Sequence, residues 1–387
     1  MRITGKKISV IASDFDGTII KHGMMAPTER FYELINQCLE QGIFFVAASG
    51  RQYINLNKLL KRLNKEIAYI AENGSLVMYQ GEVVYKAVVE ETLARELIAD
   101  MMKEDCDILV SGQYTTYMLD KNPEFVRHLI EDVGNQIQMV KDFSEVTEPM
   151  IKISMSFEHG IPEDLAARYH AKYDGILQVV DAGNNWFDFN PLESSKGKAL
   201  QVLAEKLGLD LDACVAFGDG ENDIAMLKEA AVSFAMESAK PTVKKHADYI
   251  CDCVEDVIQY GLDQEAQLKE HACNLARSVG KNDQEAEKFW ENLSEDEEIL
   301  EEFAYFLANQ NFLCKYKVAG YTIVDILVWQ VDHFKAHLDR HSAVNRYDHD
   351  KLVFSSFEAL LDMRKRPKFY TDRLEGETGT DFERKYC

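Results

Sequence analysis

An apolar run that ends in two acids constrains this 387-residue sequence more than any other feature. Ile8-Ser9-Val10-Ile11-Ala12 reads as a buried parallel strand. It leads into Asp14-Phe15-Asp16-Gly17-Thr18-Ile19, where Gly17 and Thr18 open a loop. Acids two residues apart on an extended segment point to the same side. Open α/β sheets bind their ligands at the carboxyl ends of strands. No basic residue follows within the next few positions, so the pair is unfavourable unless a metal or a proton satisfies it. A divalent-metal site is the chemical reading, and an acid-rich turn after a strand is the plain alternative.

Three further segments bear on that choice. Phe44-Phe45-Val46-Ala47-Ala48 is a second strand, ending in Ser49-Gly50-Arg51 before a helical stretch from Tyr53. A hydroxyl and a glycine-freed backbone there make a phosphate cradle, or else an ordinary helix N-cap. Lys196, in Ser194-Ser195-Lys196-Gly197-Lys198, opens a helix running to about Leu207, where a surface lysine is the usual finding. Cys214-Val215-Ala216-Phe217 is a third strand, followed by Gly218-Asp219-Gly220-Glu221-Asn222-Asp223. Asp219 and Asp223, four apart around a helix start, are able to face the same strand ends. Without a cation this loop is again a poor structural choice.

Together these segments resemble the four motifs of the haloacid dehalogenase superfamily, in its Cof-like phosphatase branch, over about residues 7 to 262. Ala71-Glu72-Asn73-Gly74-Ser75, the stretch Ala231 to Lys240 and Ala247-Asp248-Tyr249 extend the likeness. The resemblance implies a Mg²⁺-dependent phosphatase of a small phosphorylated metabolite. In it Asp14 is the nucleophile that becomes aspartyl-phosphate, and Asp16 is the acid and base. The metal is held by Asp14, the Asp16 backbone carbonyl and Asp219, with Asp223 behind them orienting Lys196 or a metal-bound water. Phe15 (through its amide), Ser49, Gly50, Lys196 and Asn222 hold the phosphoryl group. A phosphomutase or phosphotransferase using the same phosphoaspartate, or a regulatory protein acting through its C-terminal part, are the alternatives.

Alternating strand and helix patterns predict a doubly wound parallel sheet for residues 1–80 and 184–262. Residues 81–183 read as an inserted α+β cap, its alternation suggesting an antiparallel sheet with one exposed face. Its elements are helices over Thr92 to Lys103, Pro123 to Asp132 and Pro162 to Lys172, with strands at 107–110, 115–119, 151–157 and 177–180. Residues 263–387 read as an α-helical region of unrecognised family, with helices over Gln264 to Val279, Asp283 to Asn309, Gly320 to Arg340 and Ser356 to Arg364. In it His333, His337 and His341 border an apolar stripe from Ile323 to Leu338, with His349 and Asp350 nearby. The band is either an amphipathic border or part of a metal site. The stripe needs covering, which leaves room for self-association.

A formal charge of −23 argues against a nucleic-acid partner. Eight cysteines, single apart from Cys251 and Cys253, show neither zinc spacing nor disulfide density. The apolar run before Asp14 is too short for a signal-peptide core, and no stretch approaches membrane-spanning length. A cytoplasmic protein without a membrane partner is expected.

Overall fold

The computed structural model describes residues 1–3, 6–21, 23–183, 185–309 and 346–365. The chain forms two compact units, one over residues 7–261 and one from Leu262 onward. In the first unit, β1 (Val10–Ser13), β2 (Phe44–Ala48), β3 (Ala68–Ala71), β4 (Leu76–Tyr79) and β5 (Glu82–Lys86) come before the insert. The insert supplies β6 (Asp107–Ser111), β7 (Thr116–Leu119), β8 (Ile137–Val140), β9 (Lys152–Ser156), β10 (Leu177–Gly183) and β11 (Trp186–Pro191). The chain then returns through β12 (Cys214–Gly218), β13 (Val232–Met236) and β14 (Tyr249–Cys251).

The large sheet has the order β14-β13-β12-β1-β2-β3-β4-β5, and its first six strands are parallel. From β1 the chain builds outward in one direction through β2 and β3, and later in the other through β12 and β13. β1 and β12 therefore flank the topological switch point, where such sheets bind ligands. The loops after β1, β2 and β12, which carry all the acid and glycine motifs, meet there.

The boundaries expected near residues 80 and 184 shift. Gln80 and Gly81 have φ of 52° and 78°. Positive φ at both central residues makes the tight hairpin that matches strand twist, so the large sheet continues into β5. At the other end β11 pairs with β9 and β10 in the smaller sheet.

That smaller sheet has the order β8-β7-β6-β9-β11-β10, antiparallel except for β7 with β8. Its apolar face packs on the helices Glu91–Met101 and Glu163–Tyr173. The expectation of an exposed second face fails at β9, where all five residues are buried. Lys152 and Ser154, which read as solvent-facing, have polar partners instead: Lys152 meets the Gly50 carbonyl and Glu72 from the large sheet's loops, and Ser154 donates to Asp188 on the adjacent β11. The helix predicted over Pro123 to Asp132 ends at His128 and widens into a π turn over Leu129–Val133.

The described residues of the second unit are arranged in helices. Val254–Ser278 is one continuous helix, and the helix expected over Asp283 to Asn309 is two, Asp283–Glu295 and Glu297–Asn309. Asp296 breaks them and accepts the Ile299 amide at 3.1 Å, as an N-cap does. These helices and Arg346–Lys365 share a core around Phe303, Phe306, Phe354 and Phe357. The histidine band, the stripe at 323–338 and the side chain of His349 lie outside the described residues. No helix among the described residues is long and apolar enough to cross a membrane.

Candidate active site

Asp14 leaves β1 with its backbone amide on the Phe217 carbonyl at 3.0 Å, which locks it beside β12. The next turn folds back on itself, as the Phe15 carbonyl accepts both the Ile19 and Ile20 amides. The Phe15 ring is buried edge-on against Phe31. Gly17, at φ +91°, passes so close to the Asp219 carboxylate that any Cβ would collide with it. Glycine is required there by both backbone and space.

Lys196 is the first residue of the helix Lys196–Leu207, whose N-cap is Ser195. It is no surface lysine. It is fully buried, and its Nζ donates to Asp14 Oδ1 and Asp223 Oδ1, each at 2.5 Å. Asp223 Oδ2 accepts the backbone amides of Asp219 (3.0 Å) and Gly220 (2.8 Å). Both Asp223 oxygens are thereby taken. Asp219 Oδ1 accepts the Thr18 hydroxyl at 3.2 Å, and Asp14 Oδ2 is buried without a hydrogen-bond partner.

Asp14, Asp219 and Asp223 each bring a carboxylate oxygen within 4.8 Å of the others. Burial first, then Asp223, pushes the Asp14 carboxyl well above the usual range, against the pull of Lys196. Asp219 is raised by the same two causes. Burial opposes the charge on Lys196, yet Asp14 and Asp223 together raise its pKa. One ammonium faces three carboxyl groups here, so ionising all three would leave two negative charges uncompensated. An orphaned buried oxygen in an all-carboxylate set with that deficit suits a hard divalent cation.

Asp16 points elsewhere. Its Oδ2 accepts Arg51 Nε at 2.7 Å and its Oδ1 accepts Arg51 Nη2 at 2.5 Å. The Ser49 hydroxyl lies 3.5 Å from Oδ2, and Ser49 Oγ also accepts the Arg51 amide at 3.1 Å. Gly50 and Asn222 sit on either side of Asn73: a Cβ on Gly50 would fall 2.9 Å from Asn73 Oδ1, which accepts Asn222 Nδ2 at 3.0 Å. The sequence-predicted residues Asp14, Asp16, Ser49, Gly50, Lys196, Asp219, Asn222 and Asp223 thus converge at one end of the sheet.

Sequence reasoning missed Arg51, Glu72, Asn73, Lys152 and Asp188. Lys152, from β9, donates to the Gly50 carbonyl at 2.8 Å. Its Nζ is 2.6 Å from Glu72 Oε2, an ion pair that is not a well-directed hydrogen bond, and 3.6 Å from Asp188 Oδ2. Burial opposes the Lys152 charge, but Asp188 and Glu72 carry its pKa to about 12. Gln52 and Asn55 add contacts from the large sheet's side to Thr116, Gln136 and the Val133 carbonyl. A buried lysine between two carboxylates is the signal that marks this seam, and it needs the fold to become visible.

A carboxylate cluster around a buried lysine, with a Ser-Gly turn beside it, at the switch point of a Rossmann-like sheet suits phosphoryl chemistry. Residues 11–260 match the family described as haloacid dehalogenase-like hydrolase, so the chain belongs to that family, in its Cof-like branch, and is a phosphohydrolase. An Escherichia coli protein, the 5-amino-6-(5-phospho-D-ribitylamino)uracil phosphatase YbjI, is 30% identical over 243 residues, covering 62% of this chain and 90% of its own length. YcsE of Bacillus subtilis, with the same activity in its name, is 25% identical over 251 residues, covering 64% and 92%. The crystal structure of a haloacid dehalogenase-like hydrolase from Bacteroides thetaiotaomicron superposes with a TM-score of 0.59 at 25% identity, covering 66% of this chain and 99% of that one. The family match ends before the helical unit.

Proposed function

We propose that the chain is a Mg²⁺-dependent phosphatase that hydrolyses a small phosphorylated metabolite through a phosphoaspartate at Asp14. One observation carries the reading: Lys196 holds Asp14 Oδ1 and Asp223 Oδ1 at 2.5 Å while Asp14 Oδ2 is left unpartnered beside Asp219. Asp14, Asp219 and the Asp16 carbonyl would hold Mg²⁺, which when bound neutralises charge and polarises a phosphoryl oxygen.

The chain's own residues supply the rest. A carboxylate approaching a phosphate dianion is repelled by about 4 kcal/mol per charge pair at 4 Å and an effective dielectric of 20. Lys196 offsets part of this and stabilises charge on the equatorial oxygens. Asp14 forms a bond to phosphorus as the ester oxygen leaves, and Asp16 donates a proton to that oxygen. Asp16, now a carboxylate, takes a proton from the water that attacks phosphorus. The Asp14–phosphate bond breaks and inorganic phosphate is released. Ser49, the Gly50 and Phe15 amides and Asn222 hold the phosphoryl group, and Asp223 fixes Lys196. The substrate class we favour is a phosphomonoester of a polyol or sugar, by likeness to the ribityl phosphate in its relatives' names. The core is assigned to residues 1–80 with 184–262, adjusted to its strands, and the cap to the segment between.

The test is turnover of a panel of phosphorylated metabolites with and without Mg²⁺, followed by acid quench and mass spectrometry. Metal-dependent release of phosphate with a phosphate adduct on the Asp14 peptide is expected. Turnover without any adduct, or adducts elsewhere, would refute the covalent route.

A further inference from the structure

Asn73 carries a constraint that the chemistry above does not use. It is buried, at φ 58° and ψ 22°, in the turn after β3. Its Nδ2 donates to Asp188 Oδ2 at 2.9 Å and reaches Asn190 Oδ1 at 3.3 Å. The Asp188 carboxylate only accepts. The Asn190 amide is itself fixed, because its Nδ2 donates to the Glu72 carbonyl and the Ser75 hydroxyl, both at 3.0 Å. Asn73 is thus unable to flip without setting oxygen against oxygen, a costly arrangement in a buried site. Its Oδ1 must face Asn222 Nδ2, 3.0 Å away. Asn222 in turn is held with its nitrogen engaged and one N–H of that group left for a phosphoryl oxygen.

Asp188 belongs to β11 of the insert, and Ser154 on the adjacent β9 donates to its Oδ1 at 2.7 Å. Lys152, also on β9, ties the Gly50 carbonyl to the same strands. We infer that Asn73 is a positioning residue: it transmits the placement of β11, through Asp188, to the amide orientation of Asn222, so that the phosphate site is complete only with the insert's strands seated. This deepens the reading of Asn222 as a phosphate-holding group and rests on it.

The test titrates the full chain with inorganic phosphate by calorimetry in Mg²⁺ buffer. The variants are Asn73→Gly (which accepts the left-handed backbone), Asp188→Asn (which keeps the side-chain volume), Asn222→Ala, and the double variant Asn73→Gly/Asn222→Ala. Each single change is expected to weaken phosphate binding about 10- to 100-fold, the range for a hydrogen bond to a charged group. The double variant should match Asn222→Ala within about twofold, because two residues acting through one contact are non-additive. The Mg²⁺-induced rise in melting temperature should persist in Asn73→Gly and Asp188→Asn. Phosphate affinity within twofold of wild type in either of these, or losses that multiply in the double variant, would overturn the inference. So would loss of the Mg²⁺ response, which marks a generally loosened site. A wild-type chain that binds no phosphate overturns the underlying phosphate-site reading, and this one with it.

Discussion

Arg51 grips Asp16 with two nitrogens, Nε at 2.7 Å from Oδ2 and Nη2 at 2.5 Å from Oδ1, while its Nη1 is braced on Asn55 Oδ1 at 3.1 Å. A planar two-pronged contact fixes a carboxylate's orientation as well as its charge. Asp16 is therefore held apart from the Asp14 cluster and aimed separately. Arg51→Lys keeps the charge and loses the fork, and should lower kcat by about tenfold to a hundredfold with little change in phosphate affinity. Steady-state kinetics decide: a many-fold rise in KM at unchanged kcat would show that Arg51 reads the substrate instead of holding Asp16.

Asp14→Asn should reduce turnover by at least about a hundredfold. Its effect on stability should run the other way. Burial and Asp223 raise the Asp14 carboxyl, so the fold disfavours its charge when no cation is bound. Removing that charge should leave the metal-free melting temperature equal to or above that of wild type. Saturating Mg²⁺ should stabilise wild type, by about 2.7 kcal/mol at a hundred times its dissociation constant, and the variant far less. An equal Mg²⁺ shift in both proteins would remove Asp14 from the metal site.

Gly17 and Gly42 form a matched pair, both at positive φ, +91° and +81°. A Cβ at Gly17 meets the Asp219 carboxylate, whereas one at Gly42 has nothing within 4 Å. Gly42→Ala should therefore cost only the left-handed strain, about 1–2 kcal/mol, and retain kcat. Gly17→Ala should add loss of Mg²⁺ response and most turnover. Comparable kinetics in the two variants would mean that the Gly17–Asp219 approach has no bearing on the site.

What could be read in advance follows from locality. A strand that runs into an acid announces Asp14, Asp16 and Asp219 within a few residues, and a Ser-Gly step after a strand announces its loop. Arg51 and Asp16 are 35 positions apart and become partners only because β2 lies beside β1. Asn73 precedes a glycine and reads as a turn former, and its left-handed backbone is that turn. Its second role appears when β11 brings Asp188 across 115 residues. Lys152 and Ser154 alternate with apolar neighbours as a solvent face does, because the sequence does not record that another sheet's loops cover that face. β8 escaped notice for a similar reason: four residues without clean alternation form a strand through parallel pairing with β7.

Asp100 offers a pH-dependent contact remote from the chemistry. It joins the helix Glu91–Met101 to the helix Glu163–Tyr173 by accepting Lys172 Nζ (2.5 Å) and the Tyr173 hydroxyl (2.7 Å), with Lys103 at 2.7 Å on its other oxygen. The lysines and the tyrosine hold its carboxyl well below the usual range. A depressed acid contributes stability above its unfolded pKa, near 4, and loses it as pH falls through the folded value. Asp100→Asn should lower stability by about 1 kcal/mol or less at pH 7, given its partial exposure. The gap to wild type should close below about pH 4. Thermal melts across pH test this, and a gap that widens in acid would contradict it.

The helical unit gives the last prediction. Phe357 and Phe303 are fully buried, with ring centroids 5.1 Å apart at 89°, and Phe306 adds a further edge contact at 6.4 Å. An edge-to-face pair in a closed core contributes through area and geometry together. Phe357→Ala leaves a cavity where Arg346–Lys365 meets Glu297–Asn309, and should destabilise this unit by about 3–5 kcal/mol. None of the residues assigned to phosphoryl transfer lies beyond Asp223, so kcat and KM should stay within about twofold of wild type where the variant is folded. Circular dichroism melts paired with kinetics at low temperature separate the two effects. A variant that keeps its melting profile but loses turnover would mean that the helical unit takes part in the reaction, and the assignment of the chemistry to the first unit alone would fall.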